Sequence, residues 1–408
     1  MMNSADVVGR GSVAALRAAR WPELPPGGPA EQWRARAADV AEVLAADAAE
    51  RDRAGEPPHA EAELLKAAGL VTVLGPAEHG GGGQRWSTAH HVVRALAAAD
   101  GSIGHLLAHH YAWVWLAEFI GTDEKIEHIG EVAVRARWLF GGPSRVREAA
   151  LEISDAGSDM VFRGEIDDPI GCQVCDIVML EGRIPGRPTP ISALAMATEP
   201  GFSLAGRRTG FGLRRSASAP VLVDDVAIPW TGALGHVDKV FRPRTYNAFL
   251  HPTLDLGLAN VFLGLARGAL EAAADRARAS APPRAAGVLG ALLPVLWQAE
   301  AFADEVGREA EVLHDRRRSV DGRDRDGHRV RATAVLDRAA AVAEEVCRRA
   351  FDAVGTADAD MAALGRFWRD VRALAARVAP DIAEVGHHFL TGGRRRHDEI
   401  RSEESDDE

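Results

Sequence analysis

The spacing of the apolar residues changes twice along this chain, and that pattern leaves few folds open. From Pro29 to about Arg137 apolar residues recur every third and fourth position, as in Trp33, Ala37, Val40 and Val43 and again in Leu106, Tyr111, Val114 and Leu116. This is the period of helices with one buried face. Between Trp138 and Pro229 the chain breaks into short runs, among them Asp159–Arg163, Cys175–Leu180, Ile191–Met196 and Pro220–Val223, punctuated by glycine and proline. Such runs are strands. From Arg242 the helical period returns in four long segments near 246–280, 285–316, 330–355 and 364–391, separated by turns at Ala281-Pro282-Pro283 and Asp321-Gly322-Arg323-Asp324. The expectation is a mostly helical α+β protein. It has a helical domain over 29–137, a small β domain over 138–235 and a four-helix bundle over 236–393. The tails, 1–28 and the acidic 394–408, lack an apolar period and are expected to be disordered.

At ~100–200 residues per domain, 408 residues suffice for two or three domains around a continuous core. Lysine and arginine number 48 against 59 aspartates and glutamates, for a net charge of −11. No basic excess exists to neutralise a phosphate backbone, so the composition speaks against nucleic acid and for a small-molecule partner. Three cysteines make no disulfide framework, no leader pattern opens the chain, and no apolar run approaches the ~20 residues of a membrane span. The expected location is the cytoplasm.

Several stretches carry a resemblance. Pro76-Ala77-Glu78-His79-Gly80-Gly81-Gly82-Gly83, Ala98-Ala99-Asp100-Gly101-Ser102-Ile103-Gly104, Gly212–Ser218 followed by Val223–Pro229, and Arg366-Phe367-Trp368-Arg369-Asp370-Val371-Arg372 occur in the order and spacing of the acyl-CoA dehydrogenase superfamily. Its fold is an N-terminal helical domain, a small β barrel and a C-terminal four-helix bundle. Within it, Glu50–Gly55, Ala259–Leu270 and Asp381–His388 are similar to the dibenzothiophene monooxygenase branch. These flavin monooxygenases reuse the fold with reduced flavin, O2 and a C4a-hydroperoxide to oxygenate a small, aromatic or heteroatom-bearing substrate.

A dehydrogenase needs a carboxylate to take the α-proton of its acyl thioester. The two segments where the family places that base read Ala375-Ala376-Arg377-Val378-Ala379 and Leu256-Gly257-Leu258-Ala259, and neither holds an acid. The alternatives to a monooxygenase are an acyl-CoA dehydrogenase-type oxidoreductase and a non-catalytic relative. The branch has histidines at its flavin, and the resemblance assigns that role to His110 and His388. A neutral imidazole near pKa 6.5 can exchange protons with a flavin peroxide. Taken alone, each is as well explained as a core or surface histidine bonded to a carbonyl. His109 and His387, on other helix faces, stay with that plainer explanation.

The resemblance further places Ser144, Pro169, Ile170 and Gly355 at the cofactor, and Arg278 at its phosphate, where a guanidinium fork suits the oxygens. An exposed helix arginine is the competing account of Arg278. Two departures stand out. Ile170 replaces a branch serine beside the flavin, and Gly142 replaces an asparagine. The loop Phe351–Ala357 lacks the glutamine and most of the glycines that hold adenylate, which favours FMN over FAD. With no Gly-x-Gly-x-x-Gly between a strand and a helix, reduced flavin must come from a separate reductase. A homotetramer or dimer is expected, because family flavin sites draw on a neighbouring bundle. Cys172-x-x-Cys175 could be a redox or zinc pair but has no fourth ligand, and His105 with His109, four apart, has no third metal ligand; no metal is expected.

Overall fold

The computed structural model describes residues 21–145, 150–205, 210–216, 218–242, 249–280, 283–316, 319–354 and 362–392. Among the described residues six helices come first: α1 (Ala30–Ala45), α2 (Ala48–Ala54), α3 (His59–Ala67), α4 (Trp86–Ala99), α5 (Gly101–Ile120) and α6 (Asp123–Ala136). The Asp100 carboxylate starts α5 by accepting from the backbone N–H groups of Ser102 and Ile103 at 3.1 and 3.4 Å, as an N-cap should. Nearly every face of α5 is buried. It is the spine on which the other layers pack.

The middle segment forms β1 (Phe140–Pro143), β2 (Leu151–Asp155), β3 (Asp159–Ile166), β4 (Pro169–Ile170), β5 (Ile177–Arg183), β6 (Ile191–Met196), β7 (Phe202–Leu204) and β8 (Val221–Pro229). They pair as one mixed sheet in the order β4-β1-β5-β2-β3-β8-β7, with β6 on the other edge of β5. Among the described residues β4 and β7 do not meet, so the sheet is curled but open. A separate hairpin joins β9 (His236–Val237) to β10 (Val240–Phe241). Alternation along β8, buried at Val221, Val223, Val226 and Ile228 and exposed between, shows one face on a small core with Met160, Phe162 and Leu180. The pairing that matters for function is at the edge, where Gly142 faces Ile170 and Pro143 faces Pro169 across β1 and β4.

The bundle comprises α7 (Leu250–Ser280), α8 (Ala285–Arg316), α9 (Gly322–Val354), α10 (Ala362–Ala375) and α11 (Ile382–Thr391). The single last helix expected over 364–391 is therefore two. Pro380 cannot continue a helix and biases its predecessor away from helical geometry, and Asp381 then caps a new one by accepting from Glu384 N at 3.2 Å. The third bundle helix begins at Gly322 rather than near 330, where Asp321 caps Asp324 N at 2.8 Å. Although α7 and α8 are both long and apolar enough for a membrane, the apolar stretch of α7 is 83% buried as the central helix of the fold. It crosses α4 backbone to backbone. A Cβ on Gly264 or Gly268 would lie 2.4 Å from Arg94 O or 2.2 Å from Ala98 O, so glycine sets that closeness.

Candidate functional site

Four segments converge beside β1 and β4. His105 and His109 lie one turn apart on α5, so both face the same way, with ring centroids 4.5 Å apart and nearly perpendicular. His105 Nδ1 is 3.1 Å from Ser216 Oγ, on the segment that precedes β8. His109 Nδ1 is 3.1 Å from His105 O, and its Nε2 is 3.2 Å from Ser144 O, just past β1. Arg377, in the turn after α10, completes the corner: its Nε lies 3.1 Å from Asp168 Oδ2, immediately before β4.

The electrostatics follow from this geometry. Burial pushes the His105 pKa well down, with His109 and Arg377 adding to it. For His109, burial and Arg377 lower the pKa, while hydrogen bonds to the His105 and Ser144 carbonyls and the charge of Asp168 raise it. A neutral imidazole donates through one nitrogen only. One of the two carbonyls therefore faces a lone pair of the neutral ring, and burial, the largest influence, lowers the His109 pKa from its ordinary value.

His110 is different. Its Nδ1 accepts from Phe140 N at 3.0 Å and its Nε2 donates to Val71 O at 2.8 Å, with the ring fully buried. The two nitrogens tie α5 to the backbone at the start of β1 and at Val71, between α3 and α4. His110 stands 100° round the helix from His109, whose ring is the one that reaches Ser144 O. Burial lowers the His110 pKa to about 4. Since the folded value lies below the unfolded ~6.5, the native state binds fewer protons between them, and stability present above pH 6.5 is lost as pH falls toward 4. We expect up to ~1.4 kcal/mol per pH unit from this group. Urea denaturation at pH 7 and pH 5 should show that loss, and His110→Gln should remove one group's share of it, the buried His90, His314 and His328 keeping theirs.

The other expected residues divide. Ser144, Pro169 and Ile170 come together at the corner; Pro169 and Ile170 are buried, and Ile170 is 0% exposed. Arg278 stands apart, exposed on α7 and paired with Asp275. His388 is half-buried on α11, and among the described residues no polar contact links its ring to the corner. Gly355 lies outside the described residues. The asparagine missing at Gly142 has a steric cause: a Cβ there would be 2.7 Å from Met179 Cβ and 3.2 Å from Trp113 Nε1.

The Trp113 indole N–H, beside Gly142, is buried without a hydrogen-bond partner among the described residues. Sequence reasoning set His105 and His109 aside as a metal spacing; the same interval of four was the signal that they share a face.

Comparison with known proteins agrees with this architecture. Residues 30–139 match the acyl-CoA dehydrogenase N-terminal domain family. Over 384 residues the chain is 30% identical to a dibenzothiophene monooxygenase of Rhodococcus erythropolis, covering 86% of this chain and 92% of that protein. It is 25% identical over 241 residues to a probable FMNH2-dependent monooxygenase of Pseudomonas putida, 58% of this chain and 60% of that one. The crystal structure of the dibenzothiophene monooxygenase from Paenibacillus sp. A11-2 with FMN and indole matches with a TM-score of 0.81 and 25% identity, over 89% of this chain and 98% of that chain.

Proposed function

The chain belongs to the dibenzothiophene monooxygenase family, and on that premise we propose that it is a reduced-flavin-dependent monooxygenase. It takes FMN at the β1–β4 corner and oxygenates a small aromatic or heteroatom-bearing substrate. One observation carries the choice over a dehydrogenase. In the segment where this fold would place an α-proton base, the chain has the cation Arg377, and the carboxylate beside it, Asp168, is held in an ion pair with that cation. A guanidinium abstracts no proton.

Reduced FMN, when bound, supplies the oxygen-activating chemistry. His109 holds or moves a proton at Nδ1 or Nε2, oriented by the carbonyls of His105 and Ser144. His105 is kept neutral by burial and anchored to Ser216, so it offers a fixed donor or acceptor. The absence of a hydroxyl at Ile170 and of an amide at Gly142 shifts hydrogen bonding to these imidazoles and to backbone groups. His388, on α11, is retained in the proposal as the second proton carrier.

Assembly is part of the same proposal. Trp297 and Val312 on α8 are 54% and 59% exposed, an apolar surface that a second subunit would cover, and a dimer or tetramer follows. In it Arg278, exposed here, would serve a flavin phosphate at a neighbouring subunit. The deciding assay supplies FMN, NADH and O2 with indole or dibenzothiophene, with and without a flavin reductase. Oxygenated product should appear only with the reductase. Product from NADH alone, or oxidation of an acyl-CoA with a dye acceptor, would sink the proposal.

A further inference from the structure

Two of the three cysteines lie directly under the corner. Cys347 is buried within α9, where burial pushes its thiol far up and out of use. Cys172 and Cys175 occupy the turn that leaves β4. Val174 N and Cys175 N both donate to Gly171 O at 2.9 Å, and Gly171 N donates to Ser216 O at 3.0 Å. The turn is therefore wound like one turn of helix, which brings positions 172 and 175 to the same side. Both are half-buried. The turn packs tightly on β1: a Cβ on Gly141 would be 3.0 Å from Cys175 Sγ, 3.0 Å from Cys172 N and 2.9 Å from Ile170 O. Any movement of the Cys175 sulfur is thus passed to the strand pair that presents Ser144, Pro169 and Ile170.

We propose that Cys172 and Cys175 are a reversible redox pair, oxidised by hydrogen peroxide to a disulfide that alters how the β1–β4 corner holds FMN. The source of the peroxide rests on the monooxygenase assignment, because O2 reduced by FMNH2 without oxygen transfer to substrate leaves as hydrogen peroxide. The pair would then report, at the flavin itself, that turnover is running without substrate.

The chemistry balances over two steps. The Cys175 thiolate attacks one peroxide oxygen; the S–O bond forms, the O–O bond breaks, and the departing hydroxide takes a proton to become water, leaving a sulfenic acid. The Cys172 sulfur then attacks Cys175 Sγ; the S–S bond forms, the S–O bond breaks, and the second hydroxide leaves as water with the Cys172 proton. Two thiols are oxidised by two electrons and one peroxide is reduced. Cys175, whose sulfur packs against Gly141, takes the first step in this proposal, and Cys172 follows as the resolving thiol.

The test has two arms. In the first, full-length protein without flavin is treated with hydrogen peroxide. Two of the three thiols should disappear, the intact mass should fall by two hydrogen atoms, and dithiothreitol should restore both; Cys175→Ser should lose no hydrogen pair. The FMN dissociation constant of the oxidised protein should shift by about fivefold or more, the scale of ordinary coupling between sites, and return on reduction, while Cys175→Ser should show no peroxide-dependent shift. Retention of all three thiols, a disulfide between chains, or a Cys172–Cys175 disulfide with unchanged FMN affinity overturns the proposal. In the second arm the protein turns over with reductase-supplied FMNH2 and no substrate, with and without catalase. A disulfide that forms with added peroxide but not here counts against the monooxygenase assignment alone.

Discussion

His109→Ala should lower oxygenation by ~10²–10⁴, the usual penalty for a lost acid or base, with FMN binding little changed and hydrogen peroxide rising in place of product. The variant removes the ring that stands between two carbonyl oxygens, His105 O and Ser144 O, with one nitrogen on each. A steady-state assay of product and peroxide, run beside His110→Ala, separates this from a structural effect. His110→Ala leaves Phe140 N and Val71 O without their buried partner, so it should lower stability while the surviving folded enzyme keeps its product-to-peroxide ratio. Reversal of that pattern, with His110→Ala uncoupled and His109→Ala normal, would return the role to His110.

Why the sequence does not say which α5 histidine faces the corner is itself physical. Most of the fold is legible because each element has one buried and one exposed face, as in the alternation of β8 or the periodic burial of Trp33, Ala37, Val40 and Val43 in α1. On α5, which carries the histidines, that signal vanishes: buried on nearly all sides, it has no apolar stripe to say which face meets the sheet. The two-piece end of the bundle could have been read from Pro380. The corner could not, since His105 meets Ser216 from 111 residues away and Arg377 meets Asp168 from 209. No local pattern encodes such pairings.

The family-like stretches do become intelligible in three dimensions, because they converge. Arg51, Asp100 and Arg215 each come from one of them, and the buried carboxylate of Glu61, on α3, ties them together. Glu61 Oε1 lies 2.7 Å from Arg51 Nη1 and 2.6 Å from Arg215 Nη1, while Arg51 Nη1 also reaches Asp100 Oδ2 at 2.9 Å. Arg369 from the last such stretch pairs with Asp52 next door, and Arg366 donates to Ala99 O at 2.8 Å. This knot joins the helical domain, the end of the β domain and the bundle, and it fixes Ser216 through its neighbour Arg215.

Glu61→Ala is accordingly expected to be among the most destabilising single changes in the chain. Glu61 is 1% exposed and the Arg215 side chain 5%, so the variant leaves a buried guanidinium whose remaining acceptors are Glu56 O at 3.0 Å and Asp100 at 3.9 Å. Breaking a buried pair by removing one partner costs about 3–5 kcal/mol, far more than the pair itself contributes, because the surviving charge stays desolvated. Glu61→Gln keeps the shape and one acceptor oxygen but not the charge, and should recover only part of the loss. The triple variant Arg51→Leu, Glu61→Leu, Arg215→Leu removes the charges Glu61 bridges and should be less destabilised than Glu61→Ala, since of the carboxylates it leaves unpaired, Asp47 and Asp100, the first is partly exposed to water. Denaturation midpoints of the three variants decide it. A Glu61→Ala midpoint within the ~0.5 kcal/mol expected of a surface change would mean that Glu61 does not bridge the two arginines. Because Arg215 leads into Ser216, the folded fraction of Glu61→Ala should also oxygenate more slowly, the His105 ring having lost the partner that anchors it.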